Sequence, residues 1–82
     1  MYYYVYVLQN EKGQLYKGFT ADLKQRFICH NNGNVKSTKN GRPWKLIYYE
    51  AFTSKKAAKK EEKFLKSGKG RDRLKYMFSL DN

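Results

Sequence analysis

Three ionisable side chains in this sequence have chemical types that suit reactions of phosphate esters. Arg26 carries a permanently charged, planar guanidinium whose forked donors fit the non-bridging oxygens of a phosphate. Glu62 carries a carboxylate, which can hold Mg²⁺ or Mn²⁺, although a single carboxylate binds such a cation only weakly. His30 can act as an acid or a base near its ordinary pKa of about 6.5, although a lone histidine on a helix is more often structural.

Two tyrosine-containing segments precede these residues at a fixed separation. Tyr4-Val5-Tyr6 and Tyr16-Lys17-Gly18 are separated by nine residues, and Arg26 follows Tyr16 by ten. Two tyrosines on a hairpin usually pack against one another, so the pair alone is weak evidence for a site. The arginine makes the combined pattern more specific.

With the later segment Glu62-Lys63-Phe64-Leu65-Lys66, the pattern resembles the GIY-YIG nuclease family over residues 3 to about 66. That family has two signature strands, an arginine on the next helix and a metal-binding glutamate on a later helix. The resemblance is closest to its small single-domain members. Tyr4 stands in place of the family's first glycine and Lys17 in place of its central isoleucine, and both changes leave the key polar groups intact.

The resemblance implies a role for each residue of the pattern. Tyr16 would accept the proton of the attacking water, Tyr6 would orient it, and Glu62 would bind the Mg²⁺ or Mn²⁺ ion. His30 matches a position that is His or Tyr in relatives and is an alternative acid or base. Free tyrosine is a poor base because its ordinary pKa is about 10, so a metal ion and Arg26 would have to favour the phenolate.

The function implied by the resemblance is that of a divalent-metal-dependent endonuclease. It would hydrolyse phosphodiester bonds of DNA in preference to RNA, and we expect it to be structure-selective. Phosphodiester hydrolysis needs an activated water, charge neutralisation at phosphorus and stabilisation of the leaving oxygen, and the pattern offers a group for each. Two alternatives stay open: a non-catalytic module that binds DNA or RNA on the same scaffold, and a basic protein of a ribonucleoprotein particle.

Length and charge limit the class of protein. The chain has 82 residues, so we expect a single domain over residues 1–82, with specificity coming from nucleic-acid shape, an oligomer or a protein partner. Eighteen Lys and Arg against seven Asp and Glu give a formal net charge of +11, which attracts polyanions such as nucleic acid.

The lack of a membrane-spanning stretch and the single cysteine predict a cytoplasmic protein with no membrane partner. The longest apolar stretch, residues 2–8, is far shorter than the roughly 20 residues that span a bilayer, and no secretion signal is apparent. Cys29 is the single cysteine, so it can form neither an internal disulfide nor a cysteine-rich zinc site. We expect it to be a buried small apolar residue.

A basic segment in the middle of the chain is the predicted contact surface for nucleic acid. A polar loop at residues 33–43 can follow a phosphate backbone, and an adjacent aromatic ring can stack on bases, although Trp44 could equally belong to the core. The predicted nucleic-acid-binding residues are Lys17, Lys36, Lys39, Arg42, Trp44 and Lys45. The lysines at the start of the later helix, in contrast, could simply be solvated.

The elements that must position these residues follow from composition and periodicity. Residues 2–8 are β-branched, aromatic or aliphatic, which predicts a strand covered on both faces, and residues 15–19 predict its hairpin partner. Helical periodicity extends from residue 21, after a cap at Thr20, to about residue 30. No core is expected in residues 33–43.

The second half of the chain predicts one strand and two helices. The strand covers residues 44–51, and Thr53 or Ser54 caps a helix that continues to about residue 66. The segment Ser67-Gly68-Lys69-Gly70 is expected to break the chain before a last helix. The order strand, strand, helix, strand, helix, helix predicts an α+β fold in which helices flank a three-stranded antiparallel sheet, as in the GIY-YIG family.

Overall fold

The computed structural model describes residues 1–78 and has the predicted order of elements. The strands are β1 (Tyr3–Asn10), β2 (Leu15–Thr20) and β3 (Trp44–Phe52). The α-helices are α1 (Leu23–Asn31), α2 (Lys55–Leu65) and α3 (Gly68–Phe78), and a short 3-10 turn covers Lys39–Gly41. Within residues 1–78, none of the helices combines the length and the apolar character needed to cross a bilayer.

Strand β1 is the centre of the sheet, whose order is β2-β1-β3 with both pairs antiparallel. Residues 5–8 of β1 are all buried, as their unbroken apolar character predicts. Their side chains alternate between the two faces of the sheet, so β1 supplies both cores of the domain. The predicted α+β fold is therefore confirmed.

The two faces carry different cores. On one face Val5 and Val7 pack with Ala58 and Leu65 of α2 and Leu74 of α3. On the other face α1 covers a second cluster, formed by Tyr6, Leu8, Tyr16, Leu23, Phe27, Trp44 and Leu46. The predicted polar residues are thus divided between a helix on one face and a helix on the other.

Strand β3 contains an irregularity that sets the direction of its side chains. Val7 pairs with Tyr48 while Leu8 pairs with Leu46, which leaves Ile47 without a partner on β1. Ile47 and Tyr48 therefore both pack toward α2 and α3, and Leu46 packs toward α1.

The beginnings of two helices are fixed by side-chain caps. Ser54 accepts a hydrogen bond from the Ala57 N–H at 3.1 Å, which confirms one of the two predicted caps of α2. The predicted cap of α1 was wrong, because Asp22 accepts the Gln25 N–H at 3.1 Å. Thr20 instead accepts the Asp22 N–H at 3.0 Å and positions that cap.

Two predictions about buried positions were wrong. The loop at residues 33–43 does contribute to a core, since Val35 is 8% and Thr38 only 1% exposed. Cys29 was expected to be buried, but it lies half-buried on α1, one residue before the fully buried His30.

The predicted break before the last helix is shorter than expected. It is confined to the junction of α2 and α3, because α3 already begins at Gly68. Ser67 caps the helix by accepting the Gly70 N–H at 3.2 Å. A Cβ at Gly70 would overlap the carbonyl of Phe64, so glycine here lets the two helices approach closely. Glycine is therefore required at position 70 because two helices pack closely there, and not because it ends a helix.

Candidate active site

The residues of the sequence pattern lie on four elements, and the fold joins those of β1, β2 and α1. Tyr6 lies on β1, Tyr16 on β2, Arg26 and His30 on α1, and Glu62 on α2. The rings of Tyr6 and Tyr16 are 6.4 Å apart, and the ring of Tyr16 is 4.9 Å from that of His30. Tyr6, Tyr16, Arg26 and His30 form what we call the tyrosine-arginine site.

A buried chain of hydrogen bonds holds the Tyr6 hydroxyl in place. The hydroxyl lies 2.7 Å from His30 Nε2, and His30 Nδ1 lies 2.8 Å from the Thr38 hydroxyl. Thr38 in turn donates to the carbonyl of Val35 at 3.4 Å. Tyr6, His30 and Thr38 are each at most 1% exposed, so no water reaches this chain from bulk solvent.

The surrounding charges and hydrogen-bond partners determine which atoms of this hydrogen-bonded series carry a proton. Burial, with a smaller effect of the Arg26 charge, lowers the pKa of His30 to about 4, so the imidazole is neutral at pH 7. Because Thr38 donates to Val35, it accepts from the protonated Nδ1, and Nε2 accepts from Tyr6. His30 therefore has both nitrogens engaged, which fits a positioning role rather than that of a general acid or base.

Arg26 lies against the hydroxyl of Tyr6. This contact is the largest cause of the raised pKa of Arg26. Burial raises the pKa of Tyr6 to about 12 despite the opposing influence of Arg26, so Tyr6 stays protonated at neutral pH. A protonated hydroxyl that donates to His30 beside Arg26 can help to position the guanidinium, but it does not act as a base.

Gly18 has a packing reason for its place in the second tyrosine segment. A Cβ at this position would overlap the phenol ring of Tyr6, which lies directly on the backbone of β2. Gly18 pairs with Tyr6 across the two strands. The glycine therefore allows the Tyr6 ring to lie flat over the neighbouring strand.

Tyr16 is the more accessible of the two tyrosines. It is half-buried and lines an open cleft of about 410 Å³ between the turn after β1 and the loop that contains Ser37 and Asn40. Of the two signature tyrosines, the one with a route to solvent is thus the one that the resemblance gives as the proton acceptor.

The two neighbouring glutamates of α2 have different surroundings. Glu62 accepts a hydrogen bond from Lys66 at 3.1 Å, and its side chain is 21% exposed. Its charge also adds, after burial as the main cause, to the raised pKa of Tyr6, so it lies within electrostatic range of the tyrosine-arginine site. Glu61 instead accepts from Arg73 of α3 at 2.9 Å, and Arg73 also approaches Glu50.

A divalent cation would find one carboxylate at this site. Among residues 1–78, the structure contains no group of three or more His, Cys, Asp or Glu side chains placed to hold a metal ion. Glu62 offers one partly exposed oxygen-ligand group, which fits a hard cation that keeps several waters and takes the rest of its ligands from a phosphate. The residues present thus fit a weakly held ion.

The predicted nucleic-acid-binding residues fall into two groups. Those exposed to solvent are Lys36, Lys39, Arg42 and Lys45. Arg42 is also structural, since its Nε donates to the Lys39 carbonyl at 2.8 Å and its guanidinium packs against Gly33. Lys17 is half-buried, and burial, followed by the charges of Arg71 and Lys66, lowers its pKa.

Trp44 was predicted to stack on bases, with a place in the core as the alternative. Its surroundings are those of a core residue. The indole is 8% exposed, and its Nε1 donates to the carbonyl of Thr38 at 2.8 Å. Asn31 fastens the same residue by accepting its N–H at 2.7 Å and donating to its carbonyl at 2.9 Å. A residue held on every side in this way has little ring surface left for a base.

Two residues that position the site were not identified from the sequence. Thr38 orients His30, and Asn31 joins the end of α1 to the start of β3. Asn31 resembles a helix stop signal and Thr38 an ordinary loop residue, so neither carries a local signal of its long-range contact.

Comparisons with known proteins give consistent results over most of the chain. A family model described as the GIY-YIG catalytic domain matches residues 2–76. A UPF0213 protein of Staphylococcus saprophyticus is 39% identical over 74 residues, which are 89% of this chain and 90% of that protein. A UPF0213 protein of Streptococcus agalactiae serotype V is 41% identical over 75 residues, which are 90% and 85% of the respective chains.

A solved structure is similar in fold. The solution NMR structure of a UPF0213 protein from Bacillus halodurans is 32% identical in sequence and has a TM-score of 0.59. The match covers 95% of this chain and 86% of that chain.

Proposed function

The chain belongs to the GIY-YIG family, and from this premise we propose that it is a divalent-metal-dependent endonuclease that cuts DNA structure-selectively. The observation that carries the proposal is the cluster of Tyr6, Tyr16 and His30, with Arg26 one helical turn before His30 on α1. An arginine suits the non-bridging oxygens of a reacting phosphate. We place the activity in the cytoplasm.

Each residue of the site has a distinct part in the proposed reaction. Arg26 binds the non-bridging oxygens of the scissile phosphate, and Tyr6, fixed by His30, holds the guanidinium in the orientation needed. Tyr16 takes the proton of the attacking water. Glu62 is the ligand for Mg²⁺ or Mn²⁺, which when bound supplies charge neutralisation at the phosphate.

A second candidate function is a non-catalytic nucleic-acid-binding module. The observation in its favour is that Glu62 is the one carboxylate at the site and is already paired with Lys66. A formal charge of +11 would suffice for binding without cleavage.

A cleavage assay separates the two candidates. Metal-free protein is incubated with branched, flapped and single-stranded DNA and RNA, with and without Mn²⁺, beside an Arg26→Ala control. The endonuclease proposal expects products that need the metal and disappear in the control. Absence of products under all conditions would favour the binding module instead.

Replacing Arg26 by lysine is expected to lower cleavage at least about 100-fold while the fold and the affinity for nucleic acid hardly change. Lysine retains the charge, but its single ammonium cannot contact the Tyr6 hydroxyl and grip two phosphate oxygens at once. Cleavage rate, affinity and melting temperature are measured, with Arg71→Lys, an exposed arginine of α3, as the matched control. An Arg26→Lys protein that unfolds would show that Arg26 is structural.

The exposed loop lysines are expected to contribute to the salt dependence of binding. Binding of duplex DNA has a double-logarithmic salt slope of about −0.9 for each phosphate contact, so Lys36→Ala with Lys39→Ala should flatten the slope. The matched control is Lys55→Ala with Lys56→Ala, which removes the same charge from α2. If the loop variant keeps the slope and affinity of the unmodified protein, the loop is not the contact surface.

A further inference from the structure

Three tyrosine rings lie in contact on the face of the sheet that α1 packs against. The Tyr2 and Tyr4 ring centroids are 6.4 Å apart, and those of Tyr4 and Tyr49 are 6.1 Å apart. Tyr2 and Tyr49 are each 53% exposed, so the contacting rings form an aromatic patch that is open to solvent. Tyr49 is also the cross-strand partner of Tyr6, so this aromatic patch borders the tyrosine-arginine site.

A groove runs beside these rings because α1 has only nine residues and leaves part of the sheet uncovered. Its volume is about 500 Å³, within the roughly 300–1,000 Å³ range of small-ligand sites. Tyr4, Tyr49 and Leu46 line it from the sheet, and Leu23 and Phe27 line it from the helix. We call this the tyrosine groove.

We propose that the tyrosine groove holds one unpaired nucleobase of the strand whose phosphate Arg26 binds. This inference rests on the proposed function in so far as it places a nucleic-acid strand at Arg26. The contact would be stacking between the base and the exposed rings, chiefly that of Tyr49. Stacking of this kind tolerates any base, because every base has a π-face.

Charge favours nucleic acid over the other occupants of an aromatic groove. A second copy of the chain would bring another formal charge of +11 and would be repelled. Lys24 borders the groove, so a phosphate backbone beside it meets a cation. The one acid on the border, Asp22, is already engaged as the cap of α1.

Stacking on tyrosine requires an unpaired base, because in a duplex the faces of each base are covered by the neighbouring base pairs. A base that enters the groove has therefore left the stack, and one of its faces contacts tyrosine instead. The groove would therefore select a single-stranded or flapped nucleotide next to the cut.

Binding measurements in EDTA test the inference without any contribution from cleavage. The probes are one oligonucleotide sequence made as single-stranded DNA, as single-stranded RNA and as duplex DNA, each with the fluorescent base 2-aminopurine at successive positions. The variants are Tyr49→Thr, which keeps a strand-forming residue, Tyr49→Phe, which keeps the ring, and Tyr76→Ala. Tyr76 is the matched control because it is 89% exposed on α3, the helix that packs on the other face of the sheet.

The expected result is a loss of single-strand affinity of about 5- to 150-fold in Tyr49→Thr, the range for one stacked base. The affinity of Tyr49→Thr for duplex DNA should stay close to that of the unmodified protein. The affinities of Tyr49→Phe and Tyr76→Ala for single strands should also stay close to it. In the unmodified protein, 2-aminopurine should be quenched on binding, and Tyr49→Thr should restore its emission. Loss on both DNA and RNA would show that the groove reads the base alone, and loss on one only would show that the sugar also contributes.

Three results would overturn the inference: equal affinity of Tyr49→Thr and the unmodified protein for single strands, an equal loss on duplex DNA, or no quenched position. The quenching measurement uses the unmodified protein, so it decides the matter even if Tyr49→Thr fails to fold. A protein that quenches and binds as expected but cuts nothing with any metal would keep the groove assignment and reject the endonuclease.

Discussion

Glu62→Gln is expected to abolish metal-dependent cleavage, with a fall of at least about 100- to 1,000-fold, while the protein stays folded. The amide is nearly isosteric with the carboxylate, but only the anion holds a hard divalent cation strongly. Stability should hardly change, because the substitution removes an exposed pair with Lys66 four residues along the helix, and such pairs contribute little. The measurements are cleavage rate in Mn²⁺ and thermal unfolding.

Glu61→Gln is the matched control, since it makes the same chemical change one residue away. Cleavage should persist, because Glu61 is turned toward Arg73 rather than toward the tyrosine-arginine site. We expect stability to change by no more than about 1 kcal/mol, since the new amide would still accept from Arg73 and could donate to Glu50. Glu50 Oε1 lacks a hydrogen-bond partner among the described residues. An active Glu62→Gln beside an inactive, folded Glu61→Gln would reverse the assignment.

Acid is expected to destabilise the protein through His30 by roughly 3 kcal/mol between pH 6.5 and pH 4. The pKa of His30 is lowered to about 4 in the folded protein, whereas the unfolded chain protonates at about 6.5. Between these values the unfolded chain binds more protons, so stability is fully present above pH 6.5 and falls as the pH is lowered. This is a large part of the roughly 5–15 kcal/mol that stabilises a typical domain.

The comparison is with His30→Gln, measured by denaturant unfolding at several pH values. His30 is the only histidine in the chain, so the difference between the two proteins isolates its contribution. Burial, with Glu61 as the next cause, raises the pKa of Glu50, which titrates with the opposite sign, but this effect is common to both proteins and cancels. If both proteins lose the same stability between pH 6.5 and pH 4, His30 is not held neutral by its surroundings.

Local sequence determined the elements well because their signals are continuous. The unbroken β-branched and aromatic run of β1 has no other stable arrangement than a strand buried on both faces. The cap at Ser54 and the apolar arc of α2 are likewise local. The junction at Gly68 and Gly70 was misjudged because low helix propensity was taken as a break, whereas tertiary packing of α3 on α2 overrides it.

The sequence predicted which residues to examine but not their electrostatics. The resemblance to the GIY-YIG pattern put Tyr6, Tyr16 and Arg26 into one set, and the fold places the rings of Tyr6 and Tyr16 6.4 Å apart. That Tyr6 is locked as a donor depends on His30 and on Thr38, a residue in a loop with no periodicity. Such contacts depend on how the loop closes over the sheet, and a single sequence carries no signal for that.

The central position of β1 has a consequence for biosynthesis. The strand leaves the ribosome before every element that covers it, and its core is completed only when Leu74 of α3 has been made. At roughly 5–20 residues per second, the intervening stretch takes about 3 to 14 s to synthesise. During that interval β2 can pair with one edge of the apolar strand, but the edge that β3 will cover and the face that α2 and α3 will cover stay open to other nascent chains. Charge repulsion between the lysine-rich stretches that follow it would then be what keeps these chains apart.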